Sequence, residues 1–142
     1  MPLWILLGLG AALSLGAANI PQKIALGQLS PFAYGVVAGV IIIILNLSAM
    51  WFYGDSFNFA ARREWGFGIL AAILFALGSI CIGVGFRQPE TNVSQFVALF
   101  NTNTLVATAL GLIILNEFGR VVVWKVLLGA SLIVAGGLLV TI

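Results

Sequence analysis

Apolar residues fall in five long runs separated by short polar joints: Leu3–Pro21, Phe32–Tyr53, Trp65–Phe86, Val93–Leu115 and Val121–Ile142. Each run is close to the ~20 residues that a helix needs to cross a ~30 Å hydrocarbon layer. In lipid every backbone N–H and C=O must be satisfied within its own segment, so runs of this kind are helices. The pattern predicts an all-α membrane protein of five transmembrane helices in a single domain, residues 1–142. An odd number of spans puts the termini on opposite membrane faces, so a second copy that pairs with the first has two ways up.

The joints carry breaker chemistry. Gly27-Gln28-Leu29-Ser30-Pro31 separates the first two runs, with Ser30 placed as an N-cap and Pro31 suited to a first helical turn. Gly54-Asp55-Ser56 opens the longest joint, whose Phe57, Phe59 and Trp65 are expected at the headgroup level, as are Trp4 and Trp51. Gln88-Pro89-Glu90-Thr91-Asn92 separates runs three and four. Asn116-Glu117-Phe118-Gly119-Arg120 is short enough to force an antiparallel hairpin, and Glu117 is expected to pair with Arg120 or Lys125.

Composition sharpens this picture. The chain is 62% hydrophobic and 7% charged, against about 25% charged in a soluble domain. Too few polar residues exist to coat a water-exposed surface, so the solvent is lipid. A net charge of +2 without a Lys/Arg stripe excludes a nucleic-acid partner. Cys81 is the sole cysteine, which rules out an intramolecular disulfide and reads as a packing residue. The chain has no histidine, the commonest neutral-pH proton carrier and zinc ligand. No nucleophile–base pair or metal set can be assembled from the spans, so neither an enzyme nor a cofactor is expected. The small residues Leu15-Gly16-Ala17-Ala18 resemble a signal-peptidase site, but no basic segment precedes them, and the first run is expected to be retained. Arg62, Arg63, Arg120 and Lys125 lie toward the N-terminal side, Lys23 and Arg87 toward the other. Four against two favours a cytoplasmic N-terminus, by a bias small enough to leave room for insertion both ways.

Polar residues inside the runs are the candidates for function. Phe100-Asn101-Thr102-Asn103-Thr104 interrupts the fourth run, and amides in hydrocarbon are costly without a partner. On a continuous helix Asn101, Thr104 and Thr108 share a face and Asn103 points nearly opposite. Such residues line a cavity or glue neighbouring helices. Asn19, Asn46 and Ser48 are further cavity candidates, with capping or interhelical bonding as the alternative for the two asparagines. Gln22, Lys23 and Arg87 sit at one mouth, to attract anions or simply to snorkel. Small residues recur at Gly8, Ala12 and Gly16 and at Gly129 and Gly136. Their spacing suits close helix packing, within one chain or across a dimer seam.

Gly129-Ala130-Ser131-Leu132-Ile133-Val134-Ala135-Gly136-Gly137 resembles the G-x-x-L-I-x-x-G-V dimerisation motif of the small multidrug resistance family, with Gly137 in place of the final Val. Leu115-Asn116-Glu117 resembles the L-G-E signature of EamA-like units in the drug/metabolite transporter superfamily, and Gly10 to Gly16 followed by Lys23 resembles their opening helix. The resemblance covers the whole chain. It implies one five-helix unit, half of a ten-helix fold, with Gly129, Leu132, Ile133 and Gly136 at a dimer interface. Two departures matter. Leu15 stands where the small multidrug family has its first-helix glutamate, and Thr104 where EamA-like units usually carry a proline.

The expected function is therefore a prokaryotic inner-membrane transporter working by alternating access as a homodimer, or as a heterodimer with a second five-helix unit. Asn101, Thr104, Phe100, Asn103, Asn19 and Asn46 are the expected substrate-binding residues, offering amides and hydroxyls rather than charge. That suits a small neutral, zwitterionic or amphiphilic solute. The rivals are a non-transporting accessory subunit and a component of a lipid-carrier flippase.

Overall fold

The computed structural model describes residues 2–59 and 61–141. It is 83% helical, with no strand among the described residues. Five spans are long and apolar enough to cross a membrane: Leu3–Leu26, Pro31–Tyr53, Arg62–Arg87, Val93–Ile114 and Val123–Val140. The protein is an all-α integral membrane protein. Helix α1 covers Leu3–Leu26, α2 Pro31–Tyr53, α3 Arg62–Arg87, α4 Val93–Phe100, α5 Asn103–Ile114 and α6 Val123–Thr141. The expected end of the fifth run, Ile142, lies outside the described residues.

The boundaries follow from local chemistry. Ser30 caps α2 by accepting a hydrogen bond from Ala33 N at 3.0 Å, and Pro31 occupies the first turn, where its missing N–H costs nothing. Gly54 ends α2 with φ 70°, a left-handed conformation that only glycine adopts without strain. Helix α1 runs past Pro21 to Leu26, a turn beyond the expected boundary, because a proline deletes one backbone bond without stopping a helix held by its neighbours.

The chain divides into two compact units, Met1–Pro89 and Glu90–Ile142. In the first, the buried residues are Leu26 and Pro31 on either side of the first joint and Gly83 and Phe86 near the end of α3. Gly83 suits that close approach, since a Cβ at that position would stand 3.1 Å from Pro31 Cβ, tighter than ordinary contact. Lys23 adds a polar clasp. Its Nζ donates to the carbonyl of Phe86 and, at 3.2 Å, to that of Gln88. A cation at the C-terminal carbonyls of a helix is favoured by the helix dipole. Lys23 thus ties the ends of α1 and α3.

Away from that end the three helices carry exposed apolar side chains. Cys81 is exposed rather than packed, because only the C-terminal end of α3 is buried in this unit. Gly8 and Gly16 have open space where a Cβ would lie. In the joint after α2, Phe57, Phe59 and Trp65 stack with ring centroids 5.7–6.0 Å apart. Trp65 Nε1 donates to Asn58 O at 2.8 Å.

In the second unit α6 packs against α4 and α5 through Ala130 and Gly137, both buried. Gln95 ties the end of α6 to the start of α4, donating to Val140 O at 3.0 Å. Asn116 takes a left-handed conformation, φ 53°, and folds the Glu117 carboxylate back over Gly111, where a Cβ would meet Oε2 at 3.3 Å. The expected pairing of Glu117 with Arg120 or Lys125 is not formed; the Lys125 ammonium lies 5.6 Å from the centre of the Trp124 ring instead. The Asn116 turn sets the carboxylate against Gly111 of α5.

Candidate functional site

The fourth span is not one helix. Helix α4 ends at Phe100 and α5 begins at Asn103. Over the joint the backbone ladder tightens, and Thr102, Thr104 and Leu105 donate to the carbonyls three residues back, Leu99, Asn101 and Thr102, at 3.0–3.1 Å. Thr104 Oγ1 reinforces the turn by donating to Asn101 O at 2.7 Å. Asn and Thr favour such a break because their side chains offer the backbone local alternatives to the helical ladder. The eight residues of α4, at ~1.5 Å rise each, place the break roughly 12 Å inside the span.

This corrects the expectation of a continuous helix on which Asn101, Thr104 and Thr108 share a face. Thr102, Thr104 and Thr108 are half-buried, while Asn101 and Asn103 are both exposed. Phe100 is half-buried and packs edge-on against Phe96, with centroids 5.5 Å apart. Phe100, Asn101, Asn103 and Thr104 therefore sit together about one interrupted turn.

The four intramembrane asparagines divide by hydrogen bonding. Asn19 donates Nδ2 to Leu15 O at 3.0 Å and to Gly16 O at 3.3 Å, and Asn46 donates to Ile42 O at 2.8 Å. Ser48 likewise donates to Ile44 O at 2.8 Å. These side chains bond the preceding turn of their own helix, and neither asparagine makes an interhelical hydrogen bond among the described residues. Asn19 and Asn46 lie on α1 and α2, and no hydrogen bond joins them. The amides of Asn101 and Asn103 differ: neither makes a hydrogen bond among the described residues. A bare amide in hydrocarbon costs several kcal/mol, of order 4–8 against an alkane-like reference. Polar matter must meet these two groups.

Two shallow depressions accompany the spans. One of about 160 Å³ lies at the start of α4, lined by Glu90, Thr91, Asn92, Gln95, Phe96 and Leu99. The other is an open apolar hollow on α2 lined by Leu47, Ser48, Ala49, Trp51 and Phe52, a surface suited to lipid.

Helix α6 presents two faces. Ala130 and Gly137 face the chain's own α4 and α5, whereas Gly129, Leu132, Ile133 and Gly136 are exposed. A Cβ added at Gly129 or Gly136 would meet nothing within 4 Å, but one at Gly137 would stand 2.7 Å from Ala98 O. Sequence reasoning passed over Gly137 as a departure from a motif. Its signal was the second glycine of the Gly136-Gly137 pair, a position without a side chain at which another backbone can approach closely. Comparison with protein-family models, curated proteins and solved structures finds no match to this chain.

Proposed function

We propose that the protein is a membrane transporter whose solute site lies at the break in the fourth span. The observation that carries this reading is the pair of unpaired amides, Asn101 and Asn103, exposed beside that break. Irregular backbone at membrane depth is tolerated where it is buried in protein or lines a water-filled cavity, and discontinuous helices mark substrate sites in many transporters. The C-terminal end of α4 and the N-terminal end of α5 meet there, bringing partial negative and positive charge to one place. Amides, a hydroxyl and the Phe100 ring suit a small neutral, zwitterionic or amphiphilic solute.

Alternating access requires two units. The exposed face of α6, with Gly129, Leu132, Ile133 and Gly136, is the seam we assign to a second five-helix unit, in the manner of the drug/metabolite transporter superfamily and its small multidrug resistance relatives. A prokaryotic inner membrane with a cytoplasmic N-terminus fits that reading.

The test is Asn101→Leu, a substitution at home in lipid. Binding of a panel of neutral and zwitterionic metabolites to the purified dimer is measured by thermal shift and radioligand exchange. Asn101→Leu is expected to abolish binding of the solute that the wild type retains, with folding and dimerisation intact. Wild-type affinity in the folded variant removes the site from Asn101.

A further inference from the structure

The break in the fourth span coincides with a close helix contact in the second unit. A Cβ built on Gly137 would lie 2.7 Å from Ala98 O and 3.3 Å from Ala98 C, against 3.4 Å for ordinary contact, with Thr102 Cγ2 at 3.7 Å. The obstructing atoms are backbone, so no rotamer change relieves them. In a continuous α-helix the carbonyl of Ala98 would accept from the N–H of Thr102. Here the Thr102 N–H turns instead to Leu99 O at 3.1 Å. The carbonyl that leaves the ladder is the one against which the bare Gly137 backbone is pressed. A Cα–H of α6 faces that carbonyl, a weak donor that close packing at small residues permits.

We infer that Gly137 is the positioning residue of the site: seated against the Ala98 carbonyl, it holds the fourth span broken at Asn101–Thr102, and lifting α6 away lets the span close into one continuous helix. The inference rests for its functional meaning on the solute site proposed above. It gives that site a two-state element, because the same movement of α6 that returns Thr102 N to Ala98 O reshapes the turn carrying Asn101 and Asn103. Gln95 is the second member of the device. Its bond to Val140 O ties α6 to the start of α4 one turn before the seat.

Backbone exchange in the solute-free protein tests this independently of transport. Amide deuteration of residues 102–105 is followed in nanodiscs for the wild type, Gly137→Ala and Gly119→Ala, the last being a site outside the seam where a Cβ meets nothing within 4 Å. Gly137→Ala is expected to slow exchange at Thr102 by roughly five- to tenfold, within the net worth of one main-chain hydrogen bond, because the poorer three-residue bond to Leu99 O is exchanged for a four-residue bond to Ala98 O, while exchange at the α4–α6 contact quickens. Gly119→Ala leaves both unchanged. A residue that merely packs would give faster exchange throughout the unit, which overturns the inference. Unchanged exchange at 102–105 also overturns it, since the local Asn-Thr-Asn sequence then suffices to break the span. Should Gly137→Ala fail to fold, Gln95→Leu loosens the same seat from a position tolerant of lipid. Slower exchange at Thr102 in that variant upholds the inference, and faster or unaltered exchange rejects it. Loss of solute binding in Asn101→Leu with no exchange effect in Gly137→Ala would leave the site standing and remove its switch.

Discussion

Replacing Lys23 by Met removes a clasp whose strength can be worked from its partners. The ammonium donates to Phe86 O and to Gln88 O, both at the C-terminal end of α3. A hydrogen bond from a charged donor contributes about 1.5–3 kcal/mol net, and a cation at a partly buried helix C-terminus up to about 2 kcal/mol through the dipole. These are two descriptions of one interaction and do not add. Ordering a lysine side chain costs about 1.5–2 kcal/mol, and the bond to Gln88 O lies on the exposed side. Methionine carries a similar ordering cost, so that term largely cancels in the comparison, and a net loss of about 1.5–3 kcal/mol remains, a factor of roughly 10–150 in the unfolding equilibrium. Methionine keeps the apolar stem, so packing around Leu26 and Phe86 is preserved. The assay is equilibrium unfolding in mixed micelles, following tryptophan fluorescence, for the wild type, Lys23→Met, Lys23→Arg and Lys125→Met. Lys23→Met is expected to lose stability, Lys23→Arg to retain most of it, and Lys125→Met to match the wild type. A Lys23→Met variant within about 0.5 kcal/mol of the wild type, the range of an ordinary surface change, would refute the clasp.

Two further outcomes follow from α6 and from the placement of charge. Gly129→Leu with Gly136→Leu is expected to separate dimers into monomers, seen by mass photometry or crosslinking, while the α4–α6 packing at Gly137 survives; dimers of undiminished stability would move the seam elsewhere. Asp55, Glu64, Glu90 and Glu117 lie in joints or at helix ends rather than within the apolar spans, so solute flux in proteoliposomes is expected to lack a steep dependence on a proton gradient; proton movement in fixed ratio to solute would reject that reading.

Much of the fold was legible along the chain because its determinants are local. Span number follows from run length against bilayer thickness. The start of α2 follows from Ser30 and Pro31, and its end from Gly54. The polar stretch at Phe100–Thr104 declared itself by composition, and the structure keeps four of its residues about one turn. What the sequence by itself left open was which side of each helix touches protein. Lipid tails are as apolar as leucine, so an apolar face in a membrane carries no sign of whether lipid or helix covers it. The exposure of Cys81 and of Gly8 and Gly16 was hidden for that reason. The division of α6 into a Gly137 side and a Gly129/Gly136 side was hidden likewise. Hydrogen bonding divided the asparagines in a way composition does not, since Asn19 and Asn46 turn back on their own helices and Asn101 and Asn103 do not. Contacts between residues far apart in the chain decided the rest. Lys23 found the end of α3, and Gly137 met Ala98, where the backbone of one helix took the space that a side chain on the other would have filled.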